Sequence, residues 1–588
     1  MTQILKTMVV VLLTVVSSTV PLSAQQVDFL GESNSFVRFD SGKKYILLPI
    51  EEKANMCNLR LLVNNEVVKT LNVRLAIDSI DYFVPLELDK VKGSEALLDV
   101  QINRSERHAK NIAEYVCWKN MKCTDTFDVT NREYYRPLYH HTPSYGWMND
   151  PNGMFFQNGV YHLYYQHNPY GSQWENMHWG HSTSRDLVHW EHHPVALAPD
   201  ALGTIFSGSA VVDSFNTAGF GKGAIVAMYT SSGRNQTQSI AYSTDGGATF
   251  TKYEHNPVIV SNFRDFRDPK LIWHEPSHRW IVVVTAGQEV RFYSSPNLKN
   301  WTYESSFGID YGAHGSVWEC PELMLLPVDG GKEKKWTLVV SMGDYGPFGR
   351  NAMQYFTGSF DGHRFTCDSS PKTVKWVDYG KDNYAGVTFS GAPDGRHIFM
   401  GWMTCFDYAD ELPMRQYRGA NTLPRDLSLY SYEGETYLAQ IPVKETTQIR
   451  SRAIVKASKA RNIVFENANG ANEVIVELEK TAPLEITLSN PEGENVKVLY
   501  DSGNRTLSVN RAQSTAMHLG EAYNKVLTAP VRGNVEALRL FIDKSSMEVF
   551  TTDGRSVLTC LLFPSKPFNR IGVSGKAKTK TTVYVLGK

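Results

Sequence analysis

The sequence predicts an all-β protein: a five-bladed β-propeller, a smaller β-domain before it and a β-sandwich after it. Three observations lead to this prediction. Helical periodicity is nearly absent, short apolar runs recur at a regular distance in the middle of the chain, and both flanking regions alternate apolar and polar residues as strands do. A composition with 42% hydrophobic and 21% charged residues is typical of a globular chain.

The first 24 residues have the pattern of a secretory signal peptide. Lys6 provides a basic start, Met8–Val16 an apolar core, and small residues lead to a cleavage point after Ala24. The alternative is a membrane anchor, but the apolar run is well short of the ~20 residues that span a bilayer. We therefore expect an exported protein, periplasmic or secreted, without a membrane span.

The two flanking regions have the texture of antiparallel sheets. Residues 27–133 contain short alternating runs such as Lys44–Pro49 with turn-like breaks between them, which predicts an N-terminal accessory β-domain. Residues 445–588 alternate in the same way, as in Glu473–Leu478, which predicts the C-terminal β-sandwich.

Residues 136–435 carry the repeat that predicts the propeller. Five strand-like apolar runs begin at residues 160, 224, 280, 336 and 397, so one unit recurs about every 60 residues. A repeat of this length is typical of propeller blades with several strands each. The runs are Val160–Tyr165, Ala224–Tyr229, Trp280–Thr285, Trp336–Ser341 and His397–Trp402.

Charge and cysteine content exclude several classes of protein. The 60 basic and 61 acidic side chains give a net charge of −1, so no bulk field favours nucleic acid. The seven cysteines are few and scattered for an exported chain of this length, and Cys117 and Cys123 have no companion ligands for a metal. We expect no metal site and a monomer or weak oligomer.

Two aspartates of the propeller region are candidate catalytic residues. Asp150 lies among turn-forming residues in Trp147–Gly153, where an ordinary Asx-Pro-Asn-Gly turn is the alternative. Asp268 follows Arg267, whose charge is expected to lower the pKa of the neighbouring carboxyl. A structural ion pair at a strand end is the alternative for Asp268.

Glu319 is a third candidate, and a glycosidase needs two carboxyl groups beside the scissile bond, one as nucleophile or base and one as acid. Glu319 lies between Trp318 and Cys320, a setting that favours the protonated form of an acid catalyst. The alternative is an acid at a strand edge, and Glu322 is its local rival.

The residues around these acids have the composition of a sugar site. Aromatic faces stack on sugar CH groups, while amides and hydroxyls bind ring hydroxyls. Gln166, Trp174 and the run Phe206–Ser209 supply these groups. A propeller core rich in Trp and Tyr accounts for many of the other aromatics.

Seven ordered motifs between about His140 and Leu429 give a more specific indication. The region resembles glycoside hydrolase family 32, the β-fructofuranosidases that include invertase, exo-inulinase and levanase. The motifs are Trp147–Gly153, Gln166–Tyr170, His178–Ser182, Asp186–Trp190, Phe206–Ser209, Arg267–Pro269 and Trp318–Pro321.

The resemblance implies a five-bladed propeller followed by a β-sandwich, and it implies roles for individual residues. Asp150 matches the family's nucleophile, Glu319 its general acid and base, and Asp268 the residue that stabilises the transition state. No metal or organic cofactor is implied. The matching substrate-binding residues are Asn149, Gln166, Trp174, Phe206, Ser207 and Arg267.

The expected activity is that of a retaining exo-β-fructosidase acting on fructans, levan or inulin, and on short fructosides such as sucrose. An endo-acting levanase or inulinase and a fructosyltransferase would use the same catalytic residues and remain alternatives. A non-catalytic carbohydrate-binding propeller would not require three acids in separate motifs. An arabinan hydrolase on a related propeller is disfavoured by the Trp147–Gly153 and Trp318–Pro321 motifs.

Overall fold

The computed structural model describes residues 26–91, 93–103, 110–130, 132–467 and 469–587. The signal peptide expected at residues 1–24 lies outside the described residues. The all-β class is confirmed, since the α-helices in the described ranges are the four-residue α1 (Cys117–Asn120) and α2 (Glu521–Asn524). Within the same ranges, no helix is long and apolar enough to cross a membrane. Short 3₁₀ turns occur at Asp89–Val91, Ile112–Glu114, Glu275–Ser277, Pro393–Gly395, Ala409–Glu411 and Lys444–Ile449.

The chain divides into two compact units, the first formed by the described residues up to Ile80 together with Leu86–Phe127, and the second by Asp81–Pro85 and Asp128–Lys588. An antiparallel five-stranded sheet of order β1-β2-β7-β4-β5 dominates the first unit, and β3 pairs with β8. The first strands along the chain are β1 Gln26–Leu30, β2 Asn34–Arg38, β3 Tyr45–Ile50, β4 Cys57–Val63, β5 Glu66–Val73, β6 Tyr82–Glu87, β7 Ala96–Ile102 and β8 Lys122–Thr124.

Five consecutive sheets follow in the second unit. Their orders are β12-β11-β10-β9-β27, β13-β14-β15-β16, β17-β18-β19-β20, β21-β22-β23-β24 and β25-β26-β28-β29. The strands are β9 Gly146–Gln157, β10 Val160–Asn168, β11 His178–Ser184, β12 Glu191–Leu197, β13 Thr204–Asp213, β14 Ala224–Ser232, β15 Gln236–Ser243, β16 Thr251–Lys252, β17 Phe266–His274, β18 Arg279–Ala286, β19 Glu289–Ser295, β20 Thr302–Phe307, β21 Trp318–Pro327, β22 Lys334–Asp344, β23 Arg350–Phe360, β24 Phe365–Cys367, β25 Tyr384–Thr388, β26 Ile398–Trp402, β27 Tyr417–Arg418, β28 Arg425–Tyr432 and β29 Glu435–Pro442.

The first strand of each sheet contacts the first strands of its two neighbours in a closed order, β9, β13, β17, β21, β25 and back to β9. We call these five strands the first-strand ring. The parallel pairing of β27 with β9 joins a late segment of the chain to the first sheet. Apart from His397, which precedes β26, the five apolar runs of the sequence lie in β10, β14, β18, β22 and β26, the second strands, and nearly all residues of these runs are buried.

The C-terminal region forms two antiparallel six-stranded sheets, β30-β41-β32-β37-β38-β39 and β31-β40-β33-β34-β35-β36. Alternate residues of both sheets point into one apolar core, for example Val474 and Leu540 from one and Ile486 and Val498 from the other. The strands are β30 Arg450–Ser458, β31 Asn462–Val464, β32 Asn472–Leu478, β33 Leu484–Ser489, β34 Asn495–Asp501, β35 Thr506–Asn510, β36 Leu527–Pro530, β37 Ala537–Asp543, β38 Ser546–Thr551, β39 Val557–Leu561, β40 Arg570–Gly575 and β41 Thr579–Leu586.

Buried ion pairs connect the five sheets to the C-terminal sheets. Arg511 Nη1 lies 2.5 Å from Asp382 Oδ2, and Arg425 Nη2 lies 2.5 Å from Glu548 Oε2. All four of these side chains are fully buried. Because an unpaired buried charge is costly, these pairs favour one relative placement of the two sets of sheets.

His140 is part of the same buried junction. Its Nδ1 lies 2.9 Å from Asp543 Oδ2 and its Nε2 lies 2.8 Å from Glu548 Oε1. Burial alone would lower the pKa of the imidazole, but the two carboxylates outweigh it and raise the pKa of His140 from 6.5 to about 9. The folded protein therefore holds a proton here that the unfolded chain releases near pH 6.5.

This difference predicts a loss of stability with rising pH. The contribution of His140 is complete below about pH 6.5 and disappears as the pH rises through about 9. We expect His140→Gln to lower the free energy of unfolding by about 3–5 kcal/mol at pH 6 and to remove this component of the pH dependence. Thermal unfolding between pH 6 and 10 measures both effects. His363→Gln, at an exposed histidine that also contacts a glutamate, is the matched control. An unaltered pH profile in His140→Gln would rule out the proposed proton.

Candidate active site

One end of the first-strand ring carries a pocket of about 320 Å³. The ring places residues near the starts of its strands around this pocket: Asp150 of β9, Ser207 of β13, Asp268 of β17, Glu319 of β21 and Tyr384 of β25. All nine residues that the sequence analysis selected for catalysis and substrate binding line the pocket. The structure thus brings together residues as far apart in sequence as Asn149 and Glu319.

Register shifts in three of the ring strands help to direct side chains towards the pocket. The pairing of the first with the second strand shifts register between Arg267 and Lys270, between Glu319 and Glu322, and between Tyr384 and Val387. At these shifts Asp268, Cys320 and Ala385 have positive φ angles of 64°, 45° and 53°. Such bulges change the direction of a strand's side chains, and strained backbone of this kind is common at active sites.

Asp150 is held by three hydrogen-bond donors. Its Oδ2 accepts a bond of 2.6 Å from Ser207 Oγ and one of 3.3 Å from Cys320 Sγ, and its Oδ1 accepts a bond of 3.2 Å from Asn149 Nδ2. Loss of hydration raises the pKa of Asp150, the bond from Ser207 opposes this shift, and nearby Glu319 adds to it. These bonds fix the orientation of the carboxyl group.

Asp268 corrects one expectation from the sequence. We expected Arg267 to lower the pKa of Asp268, but burial outweighs the arginine and, together with Glu319 and Asp150, raises the pKa of Asp268 to about 7. Arg267 Nε lies 4.0 Å from Asp268, whereas its Nη1 lies 2.8 Å from Asp265. Asp268 Oδ2 instead accepts a backbone bond of 2.9 Å from Cys320.

Glu319 lies in polar rather than apolar surroundings, in contrast to the expectation from its aromatic and thiol neighbours. Arg267 donates two bonds of 3.2 Å to its Oε1, and the Tyr384 hydroxyl donates one of 2.5 Å to its Oε2. Its side chain is 26% exposed, so it can reach both water and a ligand. The rival Glu322 does not line this pocket and pairs with Lys270 at 2.7 Å.

The pocket wall can bind a polyhydroxylated ligand. Trp174 is 50% exposed and makes an edge contact with Phe206 at 6.0 Å between ring centroids. Gln166 Nε2 and Trp402 Nε1 line the pocket and are buried without a hydrogen-bond partner among the described residues. Because a buried donor without an acceptor is costly, these two groups favour a ligand rich in oxygen acceptors.

The sequence analysis did not select several residues of this pocket. Tyr384 contacts Glu319 directly, and Trp402 ends a run that we identified only as a strand. Arg350 and Asp410 have no local pattern that indicates a site, and only the closed order of the sheets brings them to the pocket. Within the described ranges, no group of three or more His, Cys, Asp or Glu side chains could hold a metal ion.

Comparisons with known families match nearly the whole described chain. Residues 140–442 match the model of the glycosyl hydrolases family 32 N-terminal domain, and residues 440–585 match that of the family 32 C terminal. Residues 31–139 match a domain of unknown function (DUF4980).

Individual relatives and structures agree with these matches. A levanase of Bacillus subtilis (strain 168) is 45% identical over 482 residues, which cover 78% of this chain and 71% of the levanase. An extracellular exo-inulinase of Aspergillus niger is 37% identical over 484 residues, covering 73% of this chain and 90% of the inulinase. The crystal structure of the Aspergillus awamori exo-inulinase superimposes with a TM-score of 0.72 at 33% identity, covering 79% of this chain and 100% of that structure. A β-fructofuranosidase of Schwanniomyces occidentalis complexed with fructosyl-erythritol gives a TM-score of 0.71 at 32% identity, covering 79% of this chain and 100% of the other.

Proposed function

This chain belongs to glycosyl hydrolase family 32, and from that membership and the geometry of the pocket we propose that it releases terminal fructose from fructans and from sucrose. It is a glycoside hydrolase. The observation that carries the proposal is the meeting of Asp150, Asp268 and Glu319 in one pocket.

The contacts of the three acids support a retaining double displacement. Asp150, fixed by Ser207 and Asn149, attacks the anomeric carbon of the terminal fructose, and Glu319 protonates the leaving oxygen. Glu319 then removes a proton from water, which releases fructose from Asp150 with retained configuration. Tyr384 and Arg267 hold Glu319 in place for both steps.

Asp268 serves the transition state rather than the covalent step. It approaches both Asp150 and Glu319 closely enough for their charges to raise its pKa. Its proposed role is to bind fructose hydroxyls through its carboxyl group. The same sugar is surrounded by the six substrate-binding residues, Asn149, Gln166, Trp174, Phe206, Ser207 and Arg267. The unpartnered amide of Gln166 supports this placement.

The closed order of the five sheets supports a five-bladed β-propeller for residues 136–435, with the ring strands innermost. The two C-terminal sheets with their common core support a β-sandwich at residues 445–588. Residues 27–133 form the accessory β-domain. The chain is exported with residues 1–24 as its signal peptide, and the relatives that are named extracellular support this export. The protein acts as a monomer or weak oligomer without a cofactor.

Exo action is favoured over endo action by the small volume of the pocket, about 320 Å³, which suits a chain end better than a passing chain. A time course on levan, inulin and sucrose, with products separated by chain length, tests the proposal. We expect fructose as the first and dominant product from each substrate that is cleaved. A ladder of shortened fructan chains would indicate endo action instead of exo action, and a ladder of longer products formed from sucrose would indicate fructosyl transfer. The absence of any turnover would favour the non-catalytic carbohydrate-binding propeller.

A further inference from the structure

The end of the first-strand ring opposite the active-site pocket opens into a second, larger cavity of about 1110 Å³. It is lined by the far ends of the ring strands, with Gln157 from β9, Val212 from β13, Trp273 from β17 and Leu325 from β21. It shares no lining residue with the active-site pocket. Between the two, the ring encloses a space of only about 10 Å³, which is too small to admit a sugar.

The wall of this cavity contains a buried carboxylate, that of Glu322, one of whose two oxygens has no hydrogen-bond donor among the described residues. Glu322 Oε2 accepts a bond of 2.8 Å from the Thr388 backbone and pairs with Lys270 Nζ at 2.7 Å. Glu322 Oε1 is buried and has no hydrogen-bond partner among the described residues, although Glu322 is only 1% exposed. Because buried acceptors are normally satisfied, this oxygen favours a bound hydroxyl or another O–H or N–H donor.

Aromatic rings line the same cavity. Trp273, Trp336 and Phe156 line the cavity and are only partly buried. The indole of Trp273 is fixed, since its Nε1 donates a bond of 2.5 Å to Glu275, and its ring lies 5.4 Å from the 68% exposed Phe215. Exposed aromatic faces beside a polar floor are suited to sugar CH groups and hydroxyls.

The charges of the cavity favour a neutral ligand. Lys270 is balanced by Glu322, and Arg396 forms bonds of 2.7 Å to both Asp426 and Glu445. His397, also in the lining, is neutral near pH 7 because burial and the charge of Lys270 lower its pKa to about 4. The two other charged lining residues, the exposed Lys222 and Glu275, have opposite signs, so an anion or a cation would find no concentrated opposite charge here.

We propose that this cavity is a second, non-catalytic binding site for a neutral oligosaccharide, and that its natural occupant is a segment of the fructan that the enzyme hydrolyses. The identity of the sugar as a fructan rests on the proposed function. A fructan chain that is bound at both ends of the ring would stay near the enzyme between cleavages. The same holds for a fructan particle of which two chains are bound, one in each cavity. In both cases the second contact forms at high effective concentration.

The test uses the full chain with Asp150→Asn, so that oligosaccharides bind without being cleaved. Calorimetric titration with fructo-oligosaccharides of five units, β-2,6 and β-2,1 separately, is expected to give two binding events per chain. Adding Ser214→Trp, which narrows the cavity mouth at an exposed lining residue, or Trp273→Ala, which removes one wall, is expected to leave one event. Ser451→Trp, at an exposed serine outside both cavities, is the matched control and keeps two.

In enzyme with intact Asp150, Ser214→Trp and Trp273→Ala are expected to raise the KM for polymeric levan relative to the KM for sucrose by about 10-fold or more. One binding event in Asp150→Asn, or two events that survive both cavity substitutions, would overturn the second site. These results are independent of fructose release by the unaltered enzyme, whose absence would instead overturn the proposed function. If fructose release is absent, a titration with a gluco-oligosaccharide tests the second site by itself. A binding event that is lost in Ser214→Trp supports the second site, and the absence of binding overturns it.

Discussion

Asp150→Asn is expected to lower kcat on sucrose and on levan by ~10⁴- to 10⁶-fold, the range observed when a nucleophile or its direct partner is removed from a hydrolase. The amide cannot form the covalent bond to fructose. Its oxygen can still accept the bond from Ser207 Oγ, which lies 2.6 Å from the native carboxyl, while its NH2 group takes the place of the oxygen that accepts from Asn149. Steady-state rates with both substrates measure the loss, and thermal unfolding verifies the fold.

The matched control for Asp150 is Asp310→Asn, an equal change at an exposed aspartate that lines neither cavity. It should retain the turnover of the unaltered enzyme. If Asp150→Asn kept near-normal turnover while folded, another group would have to be the nucleophile.

Glu319→Gln is expected to lower kcat on sucrose by ~10²- to 10⁴-fold, the usual contribution of general acid and base catalysis. The amide oxygen can still accept the bonds that Arg267 donates, and the amide NH2 group can donate to the Tyr384 hydroxyl oxygen, so the loss reports proton transfer more than position. A fructosyl donor whose leaving group needs no proton, such as the fluoride, should restore the first step and leave the second step slow.

The comparison of the two donors is an internal control for Glu319. Added azide, which attacks the fructosyl enzyme without a general base, should then accelerate turnover of the fluoride by Glu319→Gln. An equal loss on sucrose and on the fluoride, with no response to azide, would contradict the role of Glu319 as acid and base.

The second strands of the five sheets are the part of the fold that the sequence predicts best. The second strands of the five sheets, such as Ala224–Ser232, are buried on both faces and stand out as apolar runs. The first strands have no clear pattern in the sequence because they combine polar side chains with bulges, as Phe266–His274 does, which breaks the period of two. The ring strands that carry the site are therefore the least visible in the sequence.

For the candidate site, too, the sequence predicts some features and not others. Local motifs contain Asp150, Asp268 and Glu319 with their nearest neighbours, and the structure places them together. Motifs cannot give the degree of burial, and the pKa of Asp268 differs from expectation because burial there exceeds the effect of Arg267. Tyr384 reaches Glu319 across 65 residues of sequence, a distance that only the closed strand ring explains.

The central claim is that Asp150 forms a covalent bond to fructose, and mass spectrometry of Glu319→Gln after brief reaction with fructosyl fluoride tests it most directly. Slow hydrolysis of the intermediate in this variant should allow it to accumulate. We expect one added fructosyl unit on the peptide that contains Asp150, with fragmentation assigning it to that side chain. A fructosyl unit on Asp268, or an unmodified chain that releases fructose of inverted configuration, would contradict the account.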